Sequence, residues 1–217
     1  MKIVLYGATG RVGLRLLSEL LGRRHEVVAV VRHPEKLAPH AGLTVQQGDL
    51  SSVGGIAKAI DGAQAVVSAY GPPPDKPEEL IEVTQREIAA VQQVSQQASS
   101  PEHAPRLVVV GGAGSLEVAP GVTLVSTPGF PAGWKGIGVA HEEALKLLRS
   151  SSIDWTYLSP SAFFEPGKRT GTFRLGQDAL LTAADGKSWI SMEDCAIALV
   201  DELERPQHRR QRFTVGY

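Results

Sequence analysis

Apolar residues return along this chain in two rhythms that take turns. Compact apolar runs lie at 1–6, 26–31, 43–47, 64–68, 106–110 and 155–158, each the length of one strand crossing a sheet. Between them, apolar positions recur every three or four residues over 11–22, about 51–60, about 77–98 and about 134–150, the spacing of one helix face. Strands alternating with helices predict an α/β fold with a parallel sheet. The stretch 77–98 is long and mostly polar, with Leu80, Ile81, Thr84, Ile88, Val91 and Val94 as its stripe. The glutamines crowding its end (Gln92, Gln93, Gln96, Gln97) read as a solvated face, and 99–105 as a loop with two prolines.

Beyond residue 159 the pattern loosens. A turn and a short strand fall within 167–176, a helix over 191–204 and a last strand over 212–215. Ser191 stands where an N-cap belongs, with Glu193 and Asp194 in the first turn after it. No repeat and no long linker interrupts the chain. The expectation is one domain over 1–217, with 159–190 forming a small C-terminal substrate lobe.

The chemistry begins where the first strand stops. Gly7-Ala-Thr9-Gly10-Arg11-Val12-Gly13 joins that strand to the first helix. Glycines let a backbone turn tightly and come close to a phosphate, and a helix N-terminus offers free N–H groups and the positive end of its dipole. A strand, a glycine turn and a helix together predict a site for a nucleotide diphosphate.

Composition narrows the classes. With 22 Lys and Arg against 23 Asp and Glu, the net charge of −1 gives no case for nucleic acid or an acidic membrane. The single cysteine, Cys195, excludes an internal disulfide, and the six scattered histidines offer no metal cluster. No stretch has the ~20 apolar residues of a membrane span, and the chain enters its first strand without a signal-peptide pattern. A cytoplasmic protein with a small-molecule partner is expected, with monomer and homodimer both open.

Further candidates sit at the ends of successive strands, where an open parallel sheet binds ligands. The second strand runs into Arg32-His33-Pro34, with Lys36 following and no carboxylate at its tip. An acid there would bind a ribose 2′-hydroxyl, whereas a basic residue accommodates a 2′-phosphate. Arg32, with Arg11 from the glycine turn, therefore predicts NADP(H) over NAD(H). After the third strand, Asp49 can accept from an adenine amine and Leu50 can cover the ring. After the fourth, Ser68, Ala69, Tyr70 and Gly71 let the backbone pass close to the cofactor, with Pro72-Pro73-Pro74 as a stiff rim. On the substrate side, the backbone around Pro160 can hold a carboxamide, and Phe163 and Phe164 can stack on a flat acceptor, though core packing suits one of them equally. Trp134 opens the 134–150 helix from a glycine-rich entry that can act as a lid. Ser115 follows Gly111-Gly-Ala-Gly114 and can hydrogen-bond an acceptor carbonyl. His141 can face a ribose or shuttle a proton, or be a surface histidine beside Glu142, Glu143 and Lys146.

Over essentially its whole length the chain resembles the atypical branch of the short-chain dehydrogenase/reductase superfamily. Gly7 to Gly13 resembles the start of NmrA-like and flavin-reductase-like members, 106–115 their fifth strand and the loop after it, and 147–160 the segment that closes the nicotinamide side. The resemblance implies a Rossmann-like doubly wound parallel sheet with helices on both faces. It also implies an NAD(P)H-dependent reductase whose flavin is a substrate and not a tightly bound group. Ser115 and His141 would attend the reacting end. The chain departs from the superfamily's Tyr-x-x-x-Lys: none of its four tyrosines has lysine four residues later, and the two positions fall on Ile137 and His141. That departure disfavours a sugar-nucleotide epimerase or dehydratase. It leaves two readings: a reductase of a flavin or quinone-like ring, or an NmrA-like redox sensor that binds the dinucleotide without turnover.

Overall fold

The computed structural model describes residues 1–100 and 104–217, so the middle of the expected 99–105 loop lies outside the described residues. The apolar runs become β1 (Lys2–Tyr6), β2 (Glu26–Val31), β3 (Leu43–Gln47), β4 (Ala65–Ser68), β5 (Arg106–Val110) and β8 (Trp155–Pro160). With β12 (Gln211–Gly216) they form one parallel sheet in the order β3-β2-β1-β4-β5-β8-β12, to which β10 (Arg174–Gly176) adds an antiparallel edge. The order reverses at β1, which sits between β2 and β4.

Side-chain alternation sorts the sheet into two cores. Ile3, Leu5, Val67, Val108, Leu158 and Phe213 face helices α1 (Arg11–Gly22) and α5 (Met192–Glu204). Val4, Tyr6, Val66, Leu107, Val109 and Tyr157 face α2 (Val53–Ile60), α3 (Glu79–Gln97) and α4 (Ala132–Ser150). Helices on both faces explain why the strands are nearly continuous apolar runs. Leu16, Leu17 and Leu20 bury the stripe of α1 against α5, each stabilising by ~2 kcal/mol. Arg23 reinforces that contact by bonding Asp201 at 2.6 Å and Glu204 at 2.9 Å.

The expected C-terminal lobe divides. β9 (Phe163–Glu165) pairs with β11 (Trp189–Ser191) as a separate two-stranded sheet, while β10 leaves the region to join the main sheet against β12. The loop between β9 and β10 is fixed by acids at the start of α5. Glu193 accepts from the Gly167 N–H at 2.7 Å, and Asp194 from the Thr170 and Gly171 N–H groups at 2.7 and 2.9 Å and from the Tyr217 hydroxyl at 2.6 Å. Ser191 caps the helix as its sequence position predicts. Between β5 and α4 the chain forms a small hairpin of β6 (Glu117–Ala119) and β7 (Val122–Thr123). No helix among the described residues is long and apolar enough to cross a membrane.

Opposite the carboxyl edge, α5 is pinned to the sheet by a buried ion pair. Glu202 bonds Arg106 of β5, and the same guanidinium bonds Thr156 of β8. Glu202 also accepts from the His208 N–H at 3.0 Å and from its Nδ1 at 2.8 Å. Burial pushes this carboxyl up, but the bonds from Arg106, His208 and Gln207 outweigh it and hold the pKa below the ordinary glutamate value. A depressed pKa means that the stabilisation is full above the unfolded value of about 4.3 and is lost as pH falls through the folded one. Glu202→Gln, which leaves Arg106 buried without its counter-ion, should cost about 3 kcal/mol or more in urea unfolding at neutral pH. The gap to wild type should close as the pH drops below about 4.

Candidate functional site: a cleft at the carboxyl edge of the sheet

β1 ends at Tyr6, and Gly7 turns the chain with φ of +76°, a region that side chains disfavour. A Cβ at Gly7 would lie 2.4 Å from the Ala69 carbonyl oxygen, and one at Gly13 only 1.9 Å from the Gly7 carbonyl oxygen. The glycines thus let the turn lie directly on the end of β4 and let α1 start directly on the turn. Gly10 caps α1 without a side chain, no acid stands in its first turn, and its first internal bond runs from the Leu14 N–H to the Gly10 carbonyl at 2.9 Å. The N–H groups of Arg11, Val12 and Gly13 are therefore left at the positive end of the helix.

Beside this turn lies a cleft of about 480 Å³, within the range of small-molecule sites. Gly7, Thr9 and Gly10 line it from the turn; Arg32 from the end of β2; Asp49 and Leu50 from the segment after β3; Ala69, Tyr70 and Gly71 from the segment after β4. Arg32 makes no ion pair among the described residues. Hydrogen bonds from the Ser51 hydroxyl and N–H hold the Asp49 carboxyl below its ordinary pKa, with the charges of Arg32 and Arg86 adding to the effect. Leu50 is buried beneath it.

Helix α3 closes the cleft, which the sequence did not reveal. Glu79, Glu82, Val83 and Arg86 share one helical face and line the opening. Arg86 bonds Glu82 at 2.7 Å and the Leu50 carbonyl at 3.3 Å, and Glu79 accepts from the Tyr70 hydroxyl at 3.2 Å. The available signal was polar residues at three- and four-residue spacing on a helix that follows a strand end. It reads the same as a solvated face.

Other expected site residues sit elsewhere. The Arg11 side chain is exposed and outside the cleft lining; its carbonyl accepts from Arg15 at 2.8 Å. Val12 packs its side chain on the core, so only its backbone serves the turn. Ser68 is buried below the cleft and bonds the enclosed Glu87, whose carboxyl burial pushes up to about 7. Pro160 is buried at the end of β8. Phe163 is 64% exposed, whereas Phe164 points the other way and packs on the core. On the neighbouring β11, Trp189 stands directly opposite Phe163 in register, an exposed aromatic pair that no local pattern signalled. Trp134 is exposed in the first turn of α4, outside the cleft.

Ser115, expected at the reacting end, is not part of the cleft lining. It is buried, and its hydroxyl and carbonyl both accept from Arg212 Nη1 at 2.9 Å. The turn that carries it lies against α4, with Gly138 3.0 Å from where a Gly114 Cβ would be. His141 does stand at the carboxyl edge, where its Nδ1 is 2.9 Å from the Tyr157 hydroxyl. Burial lowers the His141 pKa to about 4.

Residues 7–206 match the NAD(P)H-binding family, and the chain belongs to it. It is 39% identical over 219 residues to the uncharacterized protein YwnB of Bacillus subtilis, covering 99% of this chain and 98% of that one. A Bacteroides thetaiotaomicron structure named a "putative epimerase" is 42% identical with a TM-score of 0.89, over 100% of this chain and 96% of that one. A Streptococcus pneumoniae structure named a "putative NADH-flavin reductase" is 32% identical with a TM-score of 0.87, over 100% and 99%. The sheet order and helix placement are those of the Rossmann fold. The protein thus has the architecture of an NAD(P)H-binding domain.

Because Ser115 serves Arg212, Ser115→Ala should lower stability by about 1 kcal/mol, the Ser115 carbonyl and Asp178 remaining as acceptors. Calorimetric NADPH affinity should stay unchanged; a loss of affinity with unaltered melting would return Ser115 to the site.

Proposed function

We propose that the chain is an NADPH-preferring reductase that delivers hydride to a free planar acceptor, a flavin or quinone-like ring. One combination carries this reading: a glycine-built dinucleotide cleft with an unpaired Arg32 beside a helix α4 that bears no tyrosine. Reduction of a carbonyl, or rearrangement of a sugar, calls for a protein acid at the reacting oxygen. A flavin does not, because its own ring electronics carry the difficult part and solvent can supply the proton. The dinucleotide, when bound, supplies the hydride.

The chain's own residues bind and orient. The N–H groups of Arg11 and Val12 would meet the diphosphate, Arg32 a 2′-phosphate, and Asp49 and Leu50 the adenine. Tyr70 and Gly71 border the middle of the cleft, and Phe163 offers an aromatic face for a flat acceptor. Flavin would come and go as a substrate. The same reading assigns the protein to the cytoplasm, as a monomer or homodimer.

The test is loss of reduced-nicotinamide absorbance with and without FMN, riboflavin and a small quinone, NADH being run beside NADPH. Acceptor-dependent oxidation is expected. NADPH binding without oxidation by any acceptor would favour the redox-sensor reading, and an epimerised or dehydrated sugar nucleotide would revive the third. Arg32→Ala should weaken NADPH binding about tenfold, some 1.4 kcal/mol, with little change for NADH. Equal losses would overturn the 2′-phosphate assignment.

A further inference from the structure

Helix α3 brings a second guanidinium to the cleft. Arg86 lines it from that helix, and Arg32 from the end of β2. Their charges meet on the same stretch. Both add to the Ser51 bonds that hold the Asp49 carboxyl below its ordinary pKa. Burial and the bond to Glu79 raise the Tyr70 pKa, and both guanidiniums oppose that rise. Asp49 and Tyr70 themselves line the cleft, so the two arginines act on one part of it.

They differ in how they are held. Arg32 is exposed and makes no ion pair among the described residues. Arg86 donates from Nη2 to Glu82 at 2.7 Å and from Nη1 to the Leu50 carbonyl at 3.3 Å. Glu82 stands one turn before Arg86, its side chain 60% exposed against 32% for the arginine. A pair so placed is screened by solvent and stabilises a helix only slightly. The other two acids of the lining have partners of their own. Glu79 accepts from Tyr70 at 3.2 Å and lies 3.5 Å from Lys76 Nζ, and Asp49 accepts from the Ser51 hydroxyl and N–H. Among the described residues Glu82 pairs with Arg86 alone.

We propose that Glu82 stands in for a ribose 2′-phosphate: it holds Arg86 until NADPH arrives and takes the guanidinium from it, whereas NADH leaves the pair intact. Arg86 is then a second residue that selects NADPH, and Glu82 is a positioning residue that tempers the selection through Arg86. The inference rests on the dinucleotide reading above and adds an arginine that neither the glycine turn nor β2 supplies. The direction of the exchange follows from charge. A phosphate monoester carries nearly two negative charges and three acceptor oxygens, and it matches the guanidinium fork. A single solvated carboxylate competes poorly with it. The displaced Glu82 is left unpaired beside a dianion, which subtracts from the gain only when the 2′-phosphate is present. Specificity here is a difference between two ligands, and Glu82 sets part of that difference.

The experiment is calorimetry of the full chain with NADPH, NADH, adenosine 2′,5′-bisphosphate and adenosine 5′-monophosphate. The last two differ by the 2′-phosphate and lack the nicotinamide. Glu82→Gln should raise the NADPH-to-NADH affinity ratio about fourfold, and the ratio for the two nucleotides likewise. Loss of a merely structural contact would not strengthen binding of one ligand in each pair. Arg86→Gln should lower both ratios about fivefold, the effect of one charge-assisted hydrogen bond. In the Arg86→Gln chain, adding Glu82→Gln should change them by less than about twofold. An unchanged or lowered ratio in Glu82→Gln, or an equal gain in both backgrounds, would overturn the exchange. Unchanged ratios in Arg86→Gln would remove Arg86 from the phosphate and overturn it as well. Wild type that binds none of the four probes would overturn the dinucleotide reading itself, and the exchange with it.

Discussion

Three main-chain segments meet at Gly7 with no room for a side chain, and the geometry of the cleft depends on that meeting. β1 can end against the carbonyl of Ala69 only because Gly7 lacks a Cβ, and α1 can begin on the Gly7 carbonyl only because Gly13 does. Widening either contact would tilt α1 away from the sheet and aim its free N–H groups elsewhere. The cleft follows from topology as well as packing. β1 is the strand at which the sheet order reverses, so the helices connecting its two neighbours depart to opposite faces and leave a crevice between them.

Electrostatics then divides the cleft. Of its two guanidinium groups, Arg86 is already engaged by Glu82 and the Leu50 carbonyl, whereas Arg32 has no such partner. Three carboxylates, Asp49, Glu79 and Glu82, share the lining, so the opening is not a general anion trap. An anionic group finds its most favourable position near Arg32 and the start of α1. Beneath the floor, Tyr6 and Glu87 each hold a polar oxygen that is enclosed without a hydrogen-bond partner among the described residues. Glu87 relieves part of that cost by a raised pKa, which leaves it neutral for part of the time at physiological pH.

Much of this was legible locally. The strands and helices stand within a few residues of where apolar spacing placed them, because each is buried along a face that the sequence marks continuously. The glycine turn was readable because strand, glycines and helix are contiguous. What escaped was non-local. Ser115 looks identical in sequence whether it faces a ligand or Arg212, which lies 97 positions away. The pairing of β9 with β11 joins three-residue strands, too short for alternation to register. The polar face of α3 becomes a wall only once β3 and β4 are placed beside it, and the Tyr157–His141 contact needs a strand and a helix to be docked first.

The clamp between α1 and α5 has a consequence for how the protein is made. α1 is synthesised well before α5, and the leucines it buries are covered by that helix, which begins at Met192. Arg15 and Arg23 likewise wait for partners 178 or more residues downstream. During synthesis the first helix therefore presents an uncovered apolar stripe until the chain has grown past Glu204. The nucleotide end of the protein is thus written well before the helix that covers it, and through that interval its apolar stripe stays open to non-native contacts.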